Sequence, residues 1–260
     1  MPKDRTILIG TSGWSYRSWR GPFFPYDLPV RLHLEYYAKH FLTTELNGVF
    51  YRTPTEESVR GWADHTPDDF VFAWKASKFI THWKRLNDTS SNSLELMESR
   101  LRLLGRKAGP VLFQLPPQFE KNRERLASFF KLLPRKRRYA FEFRHPSWYE
   151  DDILDLLREN DVALCISDHH DAPSPWVATA RHVYVRGHGP GGRYRGHYRP
   201  NVLIKWQRWL QHTPIGSAYV YFDNDQKSAA PKDAAKFAEL LASQPARNLR
   251  ASERFVKSAL

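Results

Sequence analysis

The sequence predicts an α/β protein built as a single (β/α)8 TIM barrel. Three observations carry this. Eight short apolar runs alternate with amphipathic stretches along 260 residues, and such alternation calls for a parallel sheet. Eight repeats in a chain of this length match the usual size of the barrel. No Gly/Ser linker or shift of composition divides the chain in two. A doubly wound open sheet is the alternative that the same alternation allows.

The strand-like runs are 6–11, 44–49, 70–76, 111–115, 139–143, 162–167, 182–186 and 217–222. Most are near-continuous Val, Ile, Leu, Phe and Tyr, as expected of strands buried on both faces. Helix-like stretches lie between them at 31–40, 56–64, 93–104, 123–133, 151–159, 201–211 and 232–242. In 123–133, Leu126, Phe129 and Phe130 fall on one helical face. The stretch 151–159 opens on Asp151 and Asp152, where a helix dipole favours acids. Pro200 precedes 201–211 as an N-terminal proline. The sixth crossover, 168–181, carries Asp171, Pro173 and Pro175 and predicts little helix.

Composition bounds the rest. Forty Lys and Arg against 28 Asp and Glu give a net charge of +12, and 41% of residues are hydrophobic. That excludes a collagen, a disulfide-stapled miniprotein and a disordered acidic tail. The basic balance raises the expectation of a polyanionic partner. The one cysteine, Cys165, permits no internal disulfide and no cysteine-paired zinc ribbon, and its mid-strand place predicts a core residue. No run approaches the ~18 apolar residues of a membrane span, and the start lacks the apolar core of a signal peptide. The expectation is a cytoplasmic protein without a membrane partner. A basic tail is expected over about 245–260.

In a (β/α)8 barrel the loops after the strands build the active face. Here each apolar run ends in polar groups: Ser12-Gly13-Trp14, Glu45-Leu46-Asn47, Lys75, Gln114, Glu142-Phe143-Arg144-His145, Asp168-His169-His170, Arg186-Gly187-His188 and Asp223-Asn224-Asp225. The period of two places Glu142 and Arg144 on one strand face, with Phe141 and Phe143 on the other; Lys75 likewise opposes Phe72 and Trp74. Bulky rings suit the helix layer and polar tips the barrel axis. Glu45, Asn47, Lys75, Gln114, Glu142, Arg144 and Arg186 are therefore expected to converge, with Asp168 nearby. Solvated strand ends, or a salt-bridge ring, are the competing reading.

Mixed signs suit an anion held beside a proton-moving carboxylate. Glu142, Asp168, Lys75 and Arg144 are the candidate catalytic residues. Trp14, Glu45, Asn47, Gln114, His145, Arg186, His188, Arg193, Arg195 and Asn224 are the candidate substrate contacts. The loop 186–199 holds four Arg, two His, five Gly and no acid. It follows the seventh strand, a recurrent phosphate site in such barrels, and glycines let backbone N–H groups approach an anion. Its G-x-G-x-x-G match opens no helix at the last glycine, so a dinucleotide fingerprint is discounted. Other aromatics at the exits, such as Tyr16, Tyr51, Tyr194 and Tyr198, suit packing or stacking. The run Arg135-Lys136-Arg137-Arg138 precedes the fifth strand, on the opposite end of the barrel.

The strand exits resemble the YecE-like family, domain of unknown function 72. The resembling pieces are Gly10-Thr11-Ser12-Gly13-Trp14-Ser15-Tyr16, Glu45-Leu46-Asn47 with Phe50-Tyr51-Arg52, and Lys75-Ala76 on to Thr81-His82. Gln114-Leu115-Pro116-Pro117, Glu142-Phe143-Arg144-His145 with Ser147-Trp148, Tyr184-Val185-Arg186 with His188-Gly189, and Tyr221-Phe222-Asp223-Asn224-Asp225 complete the set. Asp223 departs from the Asn of that pattern. The resemblance implies a TIM barrel and supplies no reaction.

Three functions follow as expectations. The first is an enzyme on a small anionic, phosphorylated substrate, with no cofactor. The second is an endonuclease-IV-like, metal-dependent phosphodiesterase on nucleic acid, with Glu142, His145, Asp168, His169 and His188 as ligands. The third is a non-catalytic barrel that binds nucleic acid.

Overall fold

The computed structural model describes residues 5–243 and the pair 249–250. Nine strands form one sheet: β1 Arg5–Ser12, β2 Thr43–Leu46, β3 Val71–Lys75, β4 Ala108–Gln114, β5 Tyr139–Glu142, β6 Ala163–Ser167, β7 His182–Gly187, β8 Ser217–Phe222 and β9 Leu249–Arg250. β1 to β8 run parallel in chain order, and β1 pairs with both β2 and β8, so the sheet closes. The (β/α)8 barrel is thereby observed and the open sheet is set aside.

Among the described residues seven α-helices surround it: α1 His33–Ala38, α2 Glu56–Asp64, α3 Ser91–Leu103, α4 Arg123–Phe130, α5 Asp151–Glu159, α6 Pro200–His212 and α7 Ala229–Ala242. The β6–β7 crossover has no helix among its described residues, as its prolines predict. Trp176 fills that gap by packing on Trp206 and Trp209 of α6, at ring distances of 5.6 and 5.1 Å. Most of the expected basic tail lies outside the described residues. Leu249–Arg250, within it, is a strand beside the start of β1.

The period of two sorts the strand residues as their chemistry requires. Phe72, Trp74, Phe113, Phe141 and Phe143 join the core between strands and helices. Ala73, Leu112, Ala140, Ala163, Cys165, Tyr184, Tyr219 and Tyr221 fill the lumen. Small residues on β3, β5 and β6 leave room for the tyrosines of β7 and β8. Below, Arg138 donates to the Tyr219 hydroxyl at 2.6 Å and Arg137 pairs with Glu98 at 2.7 Å. Arg138 thus closes the barrel floor, and Arg137 ties the run to α3.

The β1–β2 seam is narrow. Only Thr11 and Ser12 register against β2, whereas Thr6 to Thr11 register against β8. The Tyr37 hydroxyl of α1 bridges the gap, accepting from Thr11 N at 2.9 Å and donating to Thr43 O at 3.0 Å. Gly10 makes room for it. A Cβ there would stand 2.1 Å from Thr43 O and 2.9 Å from the Tyr37 hydroxyl. Gly10→Ala is therefore expected to cost about 1–3 kcal/mol, read as a lowered urea midpoint. A midpoint equal to the parent's would show that the seam opens freely.

Candidate functional site

The polar tips meet. Arg186, on β7 and two residues beyond Tyr184, points up the lumen and is fully buried. All five of its N–H groups have partners. Nε and Nη2 reach Glu45 at 3.1 and 2.9 Å, Nη1 reaches Glu142 at 2.8 Å and the His188 Nε2 at 3.0 Å, and Nη2 reaches Asp223 at 2.7 Å. Arg144 donates from Nε to Glu142 at 2.7 Å, and its Nη2 lies 2.6 Å from the same oxygen. Ser12 and Tyr184 donate to Glu45 at 2.5 and 2.6 Å.

These contacts decide charge. Burial opposes ionisation of Glu142, but Arg144, Arg186, His188 and Lys75 outweigh it and hold the carboxyl well below its ordinary value. Glu45 is buried too, and Arg186, Lys75 and two hydroxyl donors keep it low. Asp223 accepts from Arg186, which settles what that position does here.

Lys75 differs from the arginines. It is 6% exposed, and its one side-chain hydrogen bond runs from Nζ to Asn47 Oδ1 at 3.2 Å. Its ammonium sits 4.3 Å above the Phe50 ring. Burial, and then the Arg186 charge, lower its pKa to about 8 against the pull of nearby acids. The turn after β3 is a π-helical segment, Phe79–Trp83, a form common at functional sites. It carries His82, which burial and the Lys75 charge lower to about 4.

The loop after β7 folds over this cup. Tyr194, at φ 62°, places its hydroxyl 3.2 Å from Arg144 Nη1 and its ring against His188 at 5.0 Å. Gly192 lets the loop touch the β6 exit: a Cβ there would lie 2.3 Å from Asp168 O and His170 N. Asp168 accepts from His188 N at 2.7 Å and from the Tyr198 hydroxyl. At the other end, the buried Asp233 of α7 binds His197, Tyr198 N and Asn224 at 3.1, 3.1 and 2.7 Å. The loop is moored at both ends, while Arg193 and Arg195 stand exposed at its tip. Together with His170, Tyr194, Asp225 and Gln226 they line a cleft of about 560 Å3. Burial and the neighbouring Asp223 raise the Asp225 carboxyl to about 6.

The predicted residues thus divide. Glu45, Asn47, Lys75, Glu142, Arg144, Arg186 and His188 converge, and Gln114 registers beside Glu142. Asp168 and Asn224 hold the loop. Trp14 stands beside the cup against Trp62. His145 caps the turn Pro146–Tyr149 by accepting from Ser147 N at 3.3 Å. Arg186 is a keystone of the ring, because its donors are all engaged. Ser12, Tyr184, Tyr194, Asp223 and Asp225, though present in the strand-exit motifs and the aromatic set, are not among the candidate catalytic or substrate residues read from sequence, and Asp233 is passed over altogether.

The expected metal set does not fit. Glu142, Asp168 and His188 meet, but His188 Nε2 faces the guanidinium nitrogens of Arg144 and Arg186 at 3.2 and 3.0 Å. A divalent cation there would stand against two fixed positive charges. Among the described residues, a group with metal-ligand spacing is His169, His170 and Asp171, at the loop rim.

A closed parallel barrel with a charged cup at its C-terminal mouth makes the molecule a TIM barrel. A xylose isomerase-like TIM barrel/4-hydroxyphenylpyruvate dioxygenase fusion protein superposes at TM-score 0.50 with 13% identity over 92% of this chain and 43% of the other. SacUVDE superposes at 0.55 with 12% identity over 91% and 99%. Both likenesses concern fold alone. The chain belongs to the family described as Protein of unknown function DUF72, whose model matches residues 8–255. A DUF72 family protein of Thermotoga maritima MSB8 superposes at TM-score 0.83, with 26% identity over 92% of this chain and 100% of that one. The UPF0759 protein YecE of Escherichia coli (strain K12) is 33% identical over 147 residues, 55% of this chain, so the match spans half of that relative. The UPF0759 protein YunF of Bacillus subtilis (strain 168) is 24% identical over 90% of this chain and 94% of the relative. Among the described residues no helix is long and apolar enough to cross a membrane.

Proposed function

We propose that the chain is an enzyme acting on a small phosphorylated substrate at the C-terminal mouth of the barrel. The observation that carries this reading is the cleft that Arg193 and Arg195, without an ion-pair partner among the described residues, share with a carboxyl of raised pKa. Ion-paired rings can serve folding alone; unpaired arginines beside a perturbed acid suit a ligand.

Roles follow from charge. Arg193 and Arg195, with His170, hold the anion by forked donors. Glu142 is kept ionised by two arginines, so it orders the cup and does not move protons near neutrality. Asp225, at about 6, is the group placed to take a proton. Lys75, at about 8, neutralises charge that develops over the cup.

Activity against a phosphorylated substrate should rise through pH about 6 as Asp225 ionises, and fall through about 8 as Lys75 loses its charge. A flat profile across that window would remove both assignments. The anion site is tested by calorimetric titration with inorganic phosphate and by a soaked crystal. The double variant Arg193→Ala, Arg195→Ala should weaken phosphate binding at least tenfold. Unchanged affinity, or an anion bound elsewhere, overturns the reading.

A further inference from the structure

We infer that the substrate carries a flat aromatic or heteroaromatic ring, seated in a second cavity beside the cup; this rests on the phosphorylated-substrate reading for what the ring is attached to. The cavity measures about 420 Å3 and lies over the exits of β1 and β2, within the size range of small-ligand sites. Trp14 and Trp62 stand edge to face, with ring centres 5.7 Å apart and planes at 78°. They present two perpendicular aromatic walls. Tyr51 forms a third side and is 66% exposed. A large ring left that open at a mouth gains nothing for the fold, because its apolar area still faces water. A planar guest would cover it and stack on the indoles, a contact that tolerates many ring chemistries.

The floor joins this cavity to the chemistry. Asn47 lines it and accepts from Lys75 at 3.2 Å. Gly13 lines it, next in chain to the Ser12 that donates to Glu45. Tyr16, also in the lining, donates to Ser12 O at 2.5 Å and packs on Trp19 at a ring distance of 5.0 Å, and the Trp19 indole N–H donates to Asp225 O at 3.3 Å. Asp225 is in turn part of the arginine cleft. The ring cavity and the anion cleft are therefore joined through Tyr16, Trp19 and Asp225. One molecule with a ring at one end and a phosphate at the other spans both. Arg52 and Lys78 edge the ring side, the latter with Nζ 5.6 Å over Tyr51. They favour an electron-rich guest over a cationic one.

The experiment titrates the full chain with inorganic phosphate, glycerol 3-phosphate, phenyl phosphate, a nucleoside 5′-monophosphate and the free nucleoside. The two ring-bearing esters should bind at least tenfold tighter than glycerol 3-phosphate. Trp62→Ala should erase that advantage and leave inorganic phosphate affinity unchanged, and Trp62→Phe, which keeps a stacking face, should restore most of it. Equal binding of all three esters overturns the inference, as does a preference that survives Trp62→Ala in a folded variant. If no phosphate compound binds yet the nucleoside is held in a Trp62-dependent way, the ring site stands and the phosphate reading falls. If neither phosphate nor ring is bound, both fall.

Discussion

Replacing Arg186 by methionine is expected to be the most damaging single change in the barrel, costing about 3–5 kcal/mol. The guanidinium contacts Glu45, Glu142 and Asp223 within 3.2 Å, and all of these carboxylates are buried. Without it, at least two charges are left uncompensated where water cannot reach. At about 2–4 °C per kcal/mol for a chain of this size, the melting point should fall by roughly 6–20 °C. Adding Glu45→Gln to Arg186→Met should recover part of the loss, since Glu45 then loses its stranded charge, whereas Glu142 keeps Arg144 at 2.7 Å. The ring also sets an acid limit. Glu45 and Glu142 are held below their ordinary value of 4.5, so their contribution is complete above that value and is lost as pH falls towards their folded values. An unfolding free energy for Arg186→Met, from urea titration, within about 1 kcal/mol of the parent's would sink the view that one arginine pins three acids.

Lys75→Met should act in the opposite sense on stability. A buried ammonium whose pKa has dropped from 10.5 to about 8 is held at a cost, and an apolar side chain of similar length removes it. The variant is expected to gain about 1–3 kcal/mol at pH 7 while turnover falls at least 100-fold. The sign has a pH signature. The burden of charging Lys75 is full below about 8 and lifts as pH rises from there to 10.5, so parent and variant should converge in stability over that window. A variant that loses both stability and activity would mark Lys75 as a structural ion-pair partner, and its place in the chemistry would go with it.

Much of the barrel was legible from the residues. Runs buried on both faces are apolar throughout, and all eight strands fall on the predicted runs within a few residues. The second run overshoots because Val49 and Phe50 continue it in composition, while Gly48–Phe50 is a 3-10 turn. The period of two also told which tips share the lumen, Glu142 with Arg144 and Lys75 opposite Trp74. Applied to β7 it would have found Tyr184, two residues before Arg186, and on β1 Ser12. What periodicity could not show is which donor meets which acceptor. Arg186 and Glu45 lie 141 positions apart, and their pairing depends on the closed geometry of the barrel. The four arginines of 186–199 look alike in composition, yet Arg186 is sealed in the lumen and Arg193 and Arg195 lie in water. Asp225 stands in the eighth strand exit, but its raised pKa is not legible there, because it comes from burial and then from the charge of Asp223.

The unequal seams of β1 have a bearing on biosynthesis. Its longest registry is with residues 217–222 of β8, the last strand of the ring to be made, and its adjoining strand β2 offers only two partners. During translation the N-terminal strand therefore waits, with most of its backbone groups unpaired, until more than 200 further residues have emerged. Completion of the hoop is a late event, and premature termination anywhere before β8 leaves a sticky edge exposed.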